Sequence, residues 1–301
     1  MIHLFTSASG NDTEGIGAIA QCQIHTYTLS KLLGVNFIGQ TFTNLQHYQE
    51  HSTQEKFCQD VTEFFNIPNT NVITEDVIKF ERIDDELIKF VRENKDSNED
   101  IFLEIDKFDL MKFADANYET WVQFIPDLAS CVQFDQSKYY FDDDKINISL
   151  HITNFIEGRD NDRSLQREQF VQGNNKEQYY ITLLQKLNEI FSRIDNGTLF
   201  TEKEYHIYSR SQTPGDISQF ESFKKLGLPI TFHIDEHPLT SLYHLIKSDV
   251  KVLSNSSFSY ISALYGNELS IARDNFQHKI PYNVIYSDYN GNFDESLICL
   301  E

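Results

Sequence analysis

Arginines are the scarce cations of this chain. It has eight, and six of them (Arg159, Arg163, Arg167, Arg193, Arg210 and Arg273) fall in the second half of a 301-residue sequence with 25 basic and 46 acidic side chains, net charge −21. A guanidinium stays charged at any physiological pH and presents a planar fork of donors, which matches the oxygens of a phosphate or pyrophosphate. Arg159 follows an apolar run ending in Leu150-His151-Ile152, and Arg210 follows the run Tyr205 to Tyr208. Both stand where a strand of a parallel sheet would end, so both are candidates for an anion site. Arg163 and Arg167 lie among Asp160, Asp162 and Glu168 and read as surface pairs. A second candidate is the segment Ser248 to Tyr260, in which an apolar strand runs into Ser254, Asn255, Ser256, Ser257 and Ser259 and then into a helix. The N–H groups at a helix start attract anions. One N-cap needs one serine, and four exceed that need.

The elements that must position these groups alternate. In the second half the strand candidates are Ile146 to Ile152, Tyr205 to Tyr208, Ile230 to Ile234, Val250 to Leu253, Leu269 to Ala272 and Asn283 to Tyr286. Between them come helices over Glu177 to Ile194, Ile217 to Leu226, Pro238 to Ile246 and Ser257 to Leu264. The first half repeats the rhythm, with strands at Ile2 to Phe5, Val35 to Ile38, Val72 to Thr74 and Ile101 to Ile105. Its helices are expected at Ile16 to Leu33, Lys56 to Phe65 and Asp84 to Glu93, with a mainly helical stretch from Phe108 to Phe134 interrupted by Pro126. Strand–helix alternation builds parallel sheets covered on both faces. Two α/β domains are expected, 1–143 and 144–301, with ligands at the carboxyl ends of the strands.

Other functions are excluded or weakened. An acidic surplus argues against binding a polyanion. With no basic leader, no apolar run of membrane-spanning length and four scattered cysteines (Cys22, Cys58, Cys131, Cys299), the chain is expected to be cytoplasmic, with reduced thiols. Asp142-Asp143-Asp144 resembles a cation-binding acidic motif but precedes a strand and reads as a solvated turn. Asn11 to Gly17 lacks a full dinucleotide fingerprint, and His233 and His237 are separated by a turn rather than sharing a helical metal face.

The run Leu150-His151-Ile152, Ile207-Tyr208-Ser209-Arg210, Ile234-Asp235-Glu236-His237-Pro238 and Ser248 to Tyr260, with Ser-x-Ser-Ser-Phe-Ser-Tyr as its most specific part, resembles the donor half of fucosyltransferase-like GT-B glycosyltransferases. Small glycosyltransferases of large algal viruses, including one that transfers xylose to capsid glycans, belong to the same circle. The resemblance extends over most of residues 146–294 and more loosely to Gly15-Ile16-Gly17 and Asn44 to Tyr48. It implies two Rossmann-like domains facing across a cleft, a UDP- or GDP-linked sugar donor, a glycan acceptor, and no required metal or other cofactor. It also implies donor contacts from His151, Asp235, Ser254, Ser256, Ser257, Phe258 and Ser259, beside Arg210. The family's His-x-Arg is broken here, because Thr153 stands where the arginine is expected; the phosphate role would shift to Arg159 or Lys176.

Inverting transfer needs a base for the acceptor hydroxyl. Glu14, directly before Gly15 in the loop after the first strand, is the first candidate, since similar fucosyltransferases carry an acid beside such a glycine. Asp12, His47, Glu75 and Asp76 compete, and a helix-start role fits Glu14 equally well. A non-catalytic nucleotide- or carbohydrate-binding protein is the alternative that the missing arginine favours; a hydrolase lacks its nucleophile motif.

Overall fold

The computed structural model describes residues 1–6, 15–45, 52–68, 76–153, 176–194, 202–211, 213–280 and 282–298. They form two compact units, Met1–Asp135 and Gln136–Glu301.

The first unit runs β1 (Ile2–Phe5), α1 (Ile16–Leu33), β2 (Asn36–Phe37), α2 (Gln54–Phe65), β3 (Val77–Phe80), α3 (Asp85–Asn94), β4 (Ile101–Ile105), α4 (Lys107–Ala116), α5 (Tyr118–Trp121) and α6 (Ile125–Ala129). Its four strands are parallel in the order β2-β1-β4-β3. Helix α1 starts at Gly15, ends at Gly34 in the left-handed region (φ 66°), and is buried almost throughout from Ile16 to Ser30. It lies against β1 and β2 and also against α4, α5 and α6. A helix enclosed on several sides must satisfy its polar groups locally: the hydroxyls of Thr26, Thr28 and Ser30 donate to the carbonyls of Cys22, His25 and Tyr27 at 2.7–2.8 Å. Pro126 does not interrupt the helical stretch but opens α6, where its missing N–H would have no intrahelical acceptor. The strand expected at Val72 to Thr74 lies outside the described residues; the edge strand that pairs with β4 is Val77–Phe80.

The second unit runs β5 (Ile146–Ile152), α7 (Lys176–Ile194), β6 (Lys203–Ser209), α8 (Glu221–Lys224), β7 (Ile230–Ile234), α9 (Pro238–Lys247), β8 (Val250–Val252), α10 (Ser257–Tyr265), β9 (Leu269–Arg273) and β10 (Val284–Ser287). All six strands are parallel, in the order β10-β9-β8-β5-β6-β7. The chain therefore builds outward from β5 to β7, returns to the other side of β5 and builds outward again. Strand order reverses between β5 and β8, which is the place where open parallel sheets leave a crevice at their carboxyl ends.

The two faces of this sheet differ. Leu150, Ile207, Val252 and Ile271 share one core with Leu183, Leu184 and Leu187 of α7. Residues alternate in direction along a strand, so the other face carries Ser149, His206, Lys251 and Ser270 in register, with His151, Tyr208 and His233 one row nearer the carboxyl ends. This polar layer is buried under Tyr140, whose ring stacks on His244 of α9 (3.5 Å between centroids) and on His233 (4.6 Å). The Tyr140 hydroxyl lies 3.0 Å from that of Tyr208 and 3.2 Å from Glu236 Oε2. Packing of Tyr139 and Tyr140 on His244, with Gln136 Nε2 donating to Tyr243, explains why the compact unit begins at Gln136.

Burial, with His233 and His244 close by, holds the His206 imidazole down to about 3. Between that value and the ordinary 6.5 the unfolded chain binds a proton that the folded chain refuses, so stability falls as pH drops through this window. Urea denaturation of the wild type should therefore weaken between pH 6.5 and 4 more steeply than that of His206→Phe. The difference in slope should approach ~1.4 kcal/mol per pH unit.

Candidate functional site

The carboxyl end of β5 delivers His151, Ile152 and Thr153, and that of β8 delivers Leu253 and Ser254, immediately before α10. These two ends are joined by side chains. Thr153 Oγ1 and Ser254 Oγ are 2.6 Å apart. His151 Nδ1 sits 2.6 Å from Ser259 Oγ and 3.0 Å from Ser254 Oγ, and the Ser254 N–H donates to Ser259 Oγ at 3.2 Å. Phe258 packs on the His151 ring at 5.1 Å. The imidazole is thus held by its Nδ1 edge.

The serines divide the work. Ser254 and Ser259 are buried, at 3% and 0% exposure, and build the scaffold. Ser256 is the N-cap: its Oγ accepts from the Ser259 N–H at 3.3 Å, while the Tyr260 N–H donates to the Ser256 carbonyl at 3.0 Å. Ser257 and Phe258, half-buried, begin the helix. Among the described residues no acceptor is placed at their N–H groups, which with the Ser257 hydroxyl are the donors that α10 presents outward.

The neighbouring strand ends continue the rim. Ser209 Oγ donates to the Ile152 carbonyl at 2.6 Å, and the Asp235 N–H donates to the Ser209 carbonyl at 3.1 Å. The Asp235 carboxylate accepts from the N–H groups of Ser211 (2.8 Å) and Gly215 (3.0 Å) and from the Ser211 hydroxyl. Burial alone would raise this carboxyl, but those hydrogen bonds and the charge of Arg210 bring it below the usual carboxylate range. Arg210, half-buried, lies between the two anchored residues Ser209 and Ser211 at the end of β6.

Of the residues expected from the sequence, the structure brings together His151, Ser254, Ser256, Ser257, Phe258 and Ser259 at the β5/β8 reversal, with Arg210 and Asp235 farther along the same edge. Lys176 is the first described residue of α7. Arg159, Glu14, Asp12, His47 and Glu75 lie outside the described residues; Thr6 and Gly15, which bracket Asp12 and Glu14, are at the carboxyl end of β1 and the start of α1. Asp76 directly precedes β3, at the opposite, amino edge of the first sheet. Asp142 precedes β5 in a turn, where it accepts from the Asp144 N–H and pairs with Lys145 at 3.3 Å. Sequence reasoning missed Thr153 as a structural partner of Ser254, and it counted Arg273 without giving it a place. Arg273 ends β9, 3% exposed, with Tyr179 and Tyr289 rings 4.7 and 5.4 Å from its guanidinium carbon. Its position after an apolar run was the available signal. Among the described residues no group of three or more His, Cys, Asp or Glu is placed to hold a metal ion, and no helix is long and apolar enough to cross a membrane.

No protein-family model and no curated protein matches the chain. Solved structures that overlap it include the fucosyltransferase NodZ from Bradyrhizobium, with 9% identity, TM-score 0.39, and coverage of 92% of this chain and 96% of that one. Another is POFUT1 in complex with GDP-fucose, with 12% identity, TM-score 0.37, and coverage of 94% and 97%.

Capping and ligand-facing roles separate by mutation. Ser256→Ala should lose about 1 kcal/mol of stability with the cap, whereas Ser257→Ala should stay within about 0.5 kcal/mol. Urea denaturation of the two variants checks this.

Proposed function

We propose that the chain is a glycosyltransferase of GT-B type that moves a sugar from a nucleoside-diphosphate donor, such as UDP-xylose or GDP-fucose, to a glycan hydroxyl. The observation that carries this reading is the convergence of His151, Thr153, Ser254, Ser259 and the α10 N-terminus at the one strand-order reversal of the second sheet. Open parallel sheets bind nucleotides at such a reversal, and a helix N-terminus suits a diphosphate.

The roles follow from chemistry. Departure of the nucleoside diphosphate builds negative charge on its bridging oxygen, which donors fixed in advance stabilise. The N–H groups of Ser257 and Phe258, the Ser257 hydroxyl and Arg210 are assigned to that charge, with Arg159 and Lys176 as further cations. His151 is assigned to the donor as well. Cations and N–H dipoles supply what a divalent ion would otherwise supply, so transfer is proposed to be metal-independent. The acceptor proton goes to a carboxylate or imidazole, Glu14 first, with Asp12 and His47 as alternatives, and inversion at the anomeric carbon follows from this single displacement.

A second reading has one specific observation in its favour. The Thr153 hydroxyl is 2.6 Å from Ser254 Oγ, so the position where the family places an arginine supports the scaffold here. A protein that binds a nucleotide or glycan without transferring it would tolerate that loss.

A thermal-shift screen separates these readings. GDP or UDP should raise the melting temperature with EDTA present, by an amount corresponding to ~2.7 kcal/mol at a hundredfold excess over Kd. No response to either nucleotide, or a response abolished by EDTA, would overturn the donor site as described. Glu14→Gln should keep donor binding and lower transfer about 10²- to 10⁴-fold; unchanged transfer removes Glu14 as the base, and absent transfer by the wild type on glycan arrays favours the binding protein.

A further inference from the structure

We propose that Asp235 is a positioning residue that fixes Arg210 at the end of β6 as a cation of the diphosphate site, a role that rests on the donor reading above. A carboxylate beside an anion site repels the ligand unless its charge is engaged elsewhere, and the geometry shows where it is engaged. Asp235 adopts a left-handed backbone (φ 58°) that L-residues other than asparagine and aspartate rarely take. That turn sends the side chains of three successive residues to three different sets of partners. Asp235 receives the Ser211 and Gly215 N–H groups and the Ser211 hydroxyl. Glu236 turns to the buried layer behind the sheet, accepting from Ser241 Oγ at 3.0 Å and lying 3.5 Å from His233 Nδ1. His237 Nδ1 accepts from the Leu239 N–H at 3.3 Å and caps α9.

The consequence falls on Arg210. Its N-terminal neighbour Ser209 is tied to β5 through the Ile152 carbonyl and to β7 through the Asp235 N–H, and its C-terminal neighbour Ser211 is tied to the Asp235 carboxylate. Both flanks of the arginine are therefore held by partners on adjacent strand ends, and Ser211 is 3% exposed. A long side chain on a fixed base loses less freedom when it meets a ligand. The carboxylate also sits close enough to Arg210 to feel its charge, so Asp235 balances the cation as well as placing it.

The peptide bond between Arg210 and Ser211 provides a readout independent of any ligand. Trypsin cleaves after arginine, and the amide it must engage is the N–H bonded to Asp235. In Asp235→Asn one acceptor oxygen becomes a donor facing N–H groups. Cleavage after Arg210, followed by mass spectrometry on the full chain, should then accelerate about tenfold. Binding of GDP or UDP by calorimetry should weaken about tenfold, the scale of one charge-assisted hydrogen bond. With donor sugar, the KM should rise while kcat changes little. Arg210→Ala should weaken nucleotide binding as much, and the double variant should bind no worse than Arg210→Ala alone. Ser211→Ala, which keeps the N–H bond, gives a milder version of each effect should Asp235→Asn fold poorly. If the wild type binds neither nucleotide, the donor reading fails and takes this role with it. If the wild type binds but Asp235→Asn is cut no faster, or the two losses add in the double variant, the clamp is overturned and the donor reading stands.

Discussion

The reversal of strand order between β5 and β8 is the constraint on which the rest of the second unit depends. Connections leaving β5 toward β6 and those leaving β8 toward β9 run in opposite directions along the sheet, so no chain segment is required to cover the carboxyl ends between them. Into that gap the sequence places Thr153 and Ser254, which bridge the strands, and α10, whose N-terminus points back at the edge. The bridge uses hydroxyls rather than charges. A neutral, hydrogen-bonded scaffold leaves positive character to helix N–H groups and to arginines at neighbouring strand ends, so a chain of net charge −21 is compatible with the anion site proposed for this edge.

The sheet is asymmetric for a related reason. Its α7 face is a close-packed aliphatic core, whereas the opposite face holds His206, Tyr208, His233 and Lys251, each wholly or largely withdrawn from water. Buried polar groups destabilise a fold unless they are hydrogen-bonded. Hydrogen bonds of the Tyr140 hydroxyl with Tyr208 and Glu236, and of His233 with His206 and Glu236, meet part of that demand, while Lys251 Nζ and His206 Nε2 have no hydrogen-bond partner among the described residues. The stacking of Tyr140 on His233 and His244 draws the residues from Gln136 onward into the unit. The turn after β7 serves both faces: Asp235 holds the edge of the sheet, and Glu236 holds the layer behind it.

Much of the architecture was legible beforehand, and the exceptions are instructive. β1, α1, β4, β5 and β7 match their expected bounds because each is an apolar run between turn residues or a helix closed by glycine. Pro126 misled in the ordinary way, since a proline that would break a helix interior also starts a helix well. β3 was missed because Val77–Phe80 is a short edge strand containing Lys79, with Ile78 exposed, so its sequence lacks the apolar continuity of an inner strand. The serine cluster stood out as more than one N-cap requires, but its division into scaffold, cap and helix-start residues was not legible.

Alone, the sequence determined two α/β units with parallel sheets, and it marked Ser254 to Ser259 and Arg210 as groups that follow strands, and His151 as one near a strand's carboxyl end. Local periodicity and turn chemistry suffice for that, because they act over a few residues. Only the tertiary structure decided that β8 lies beside β5, that Thr153 bonds Ser254 across 101 positions and His151 bonds Ser259 across 108, and that Asp235 turns its carboxylate to the loop after β6. Those outcomes depend on the order in which strands pair and on one residue in a left-handed turn. Neither leaves a periodic signature, since both are set by how distant segments share the same space.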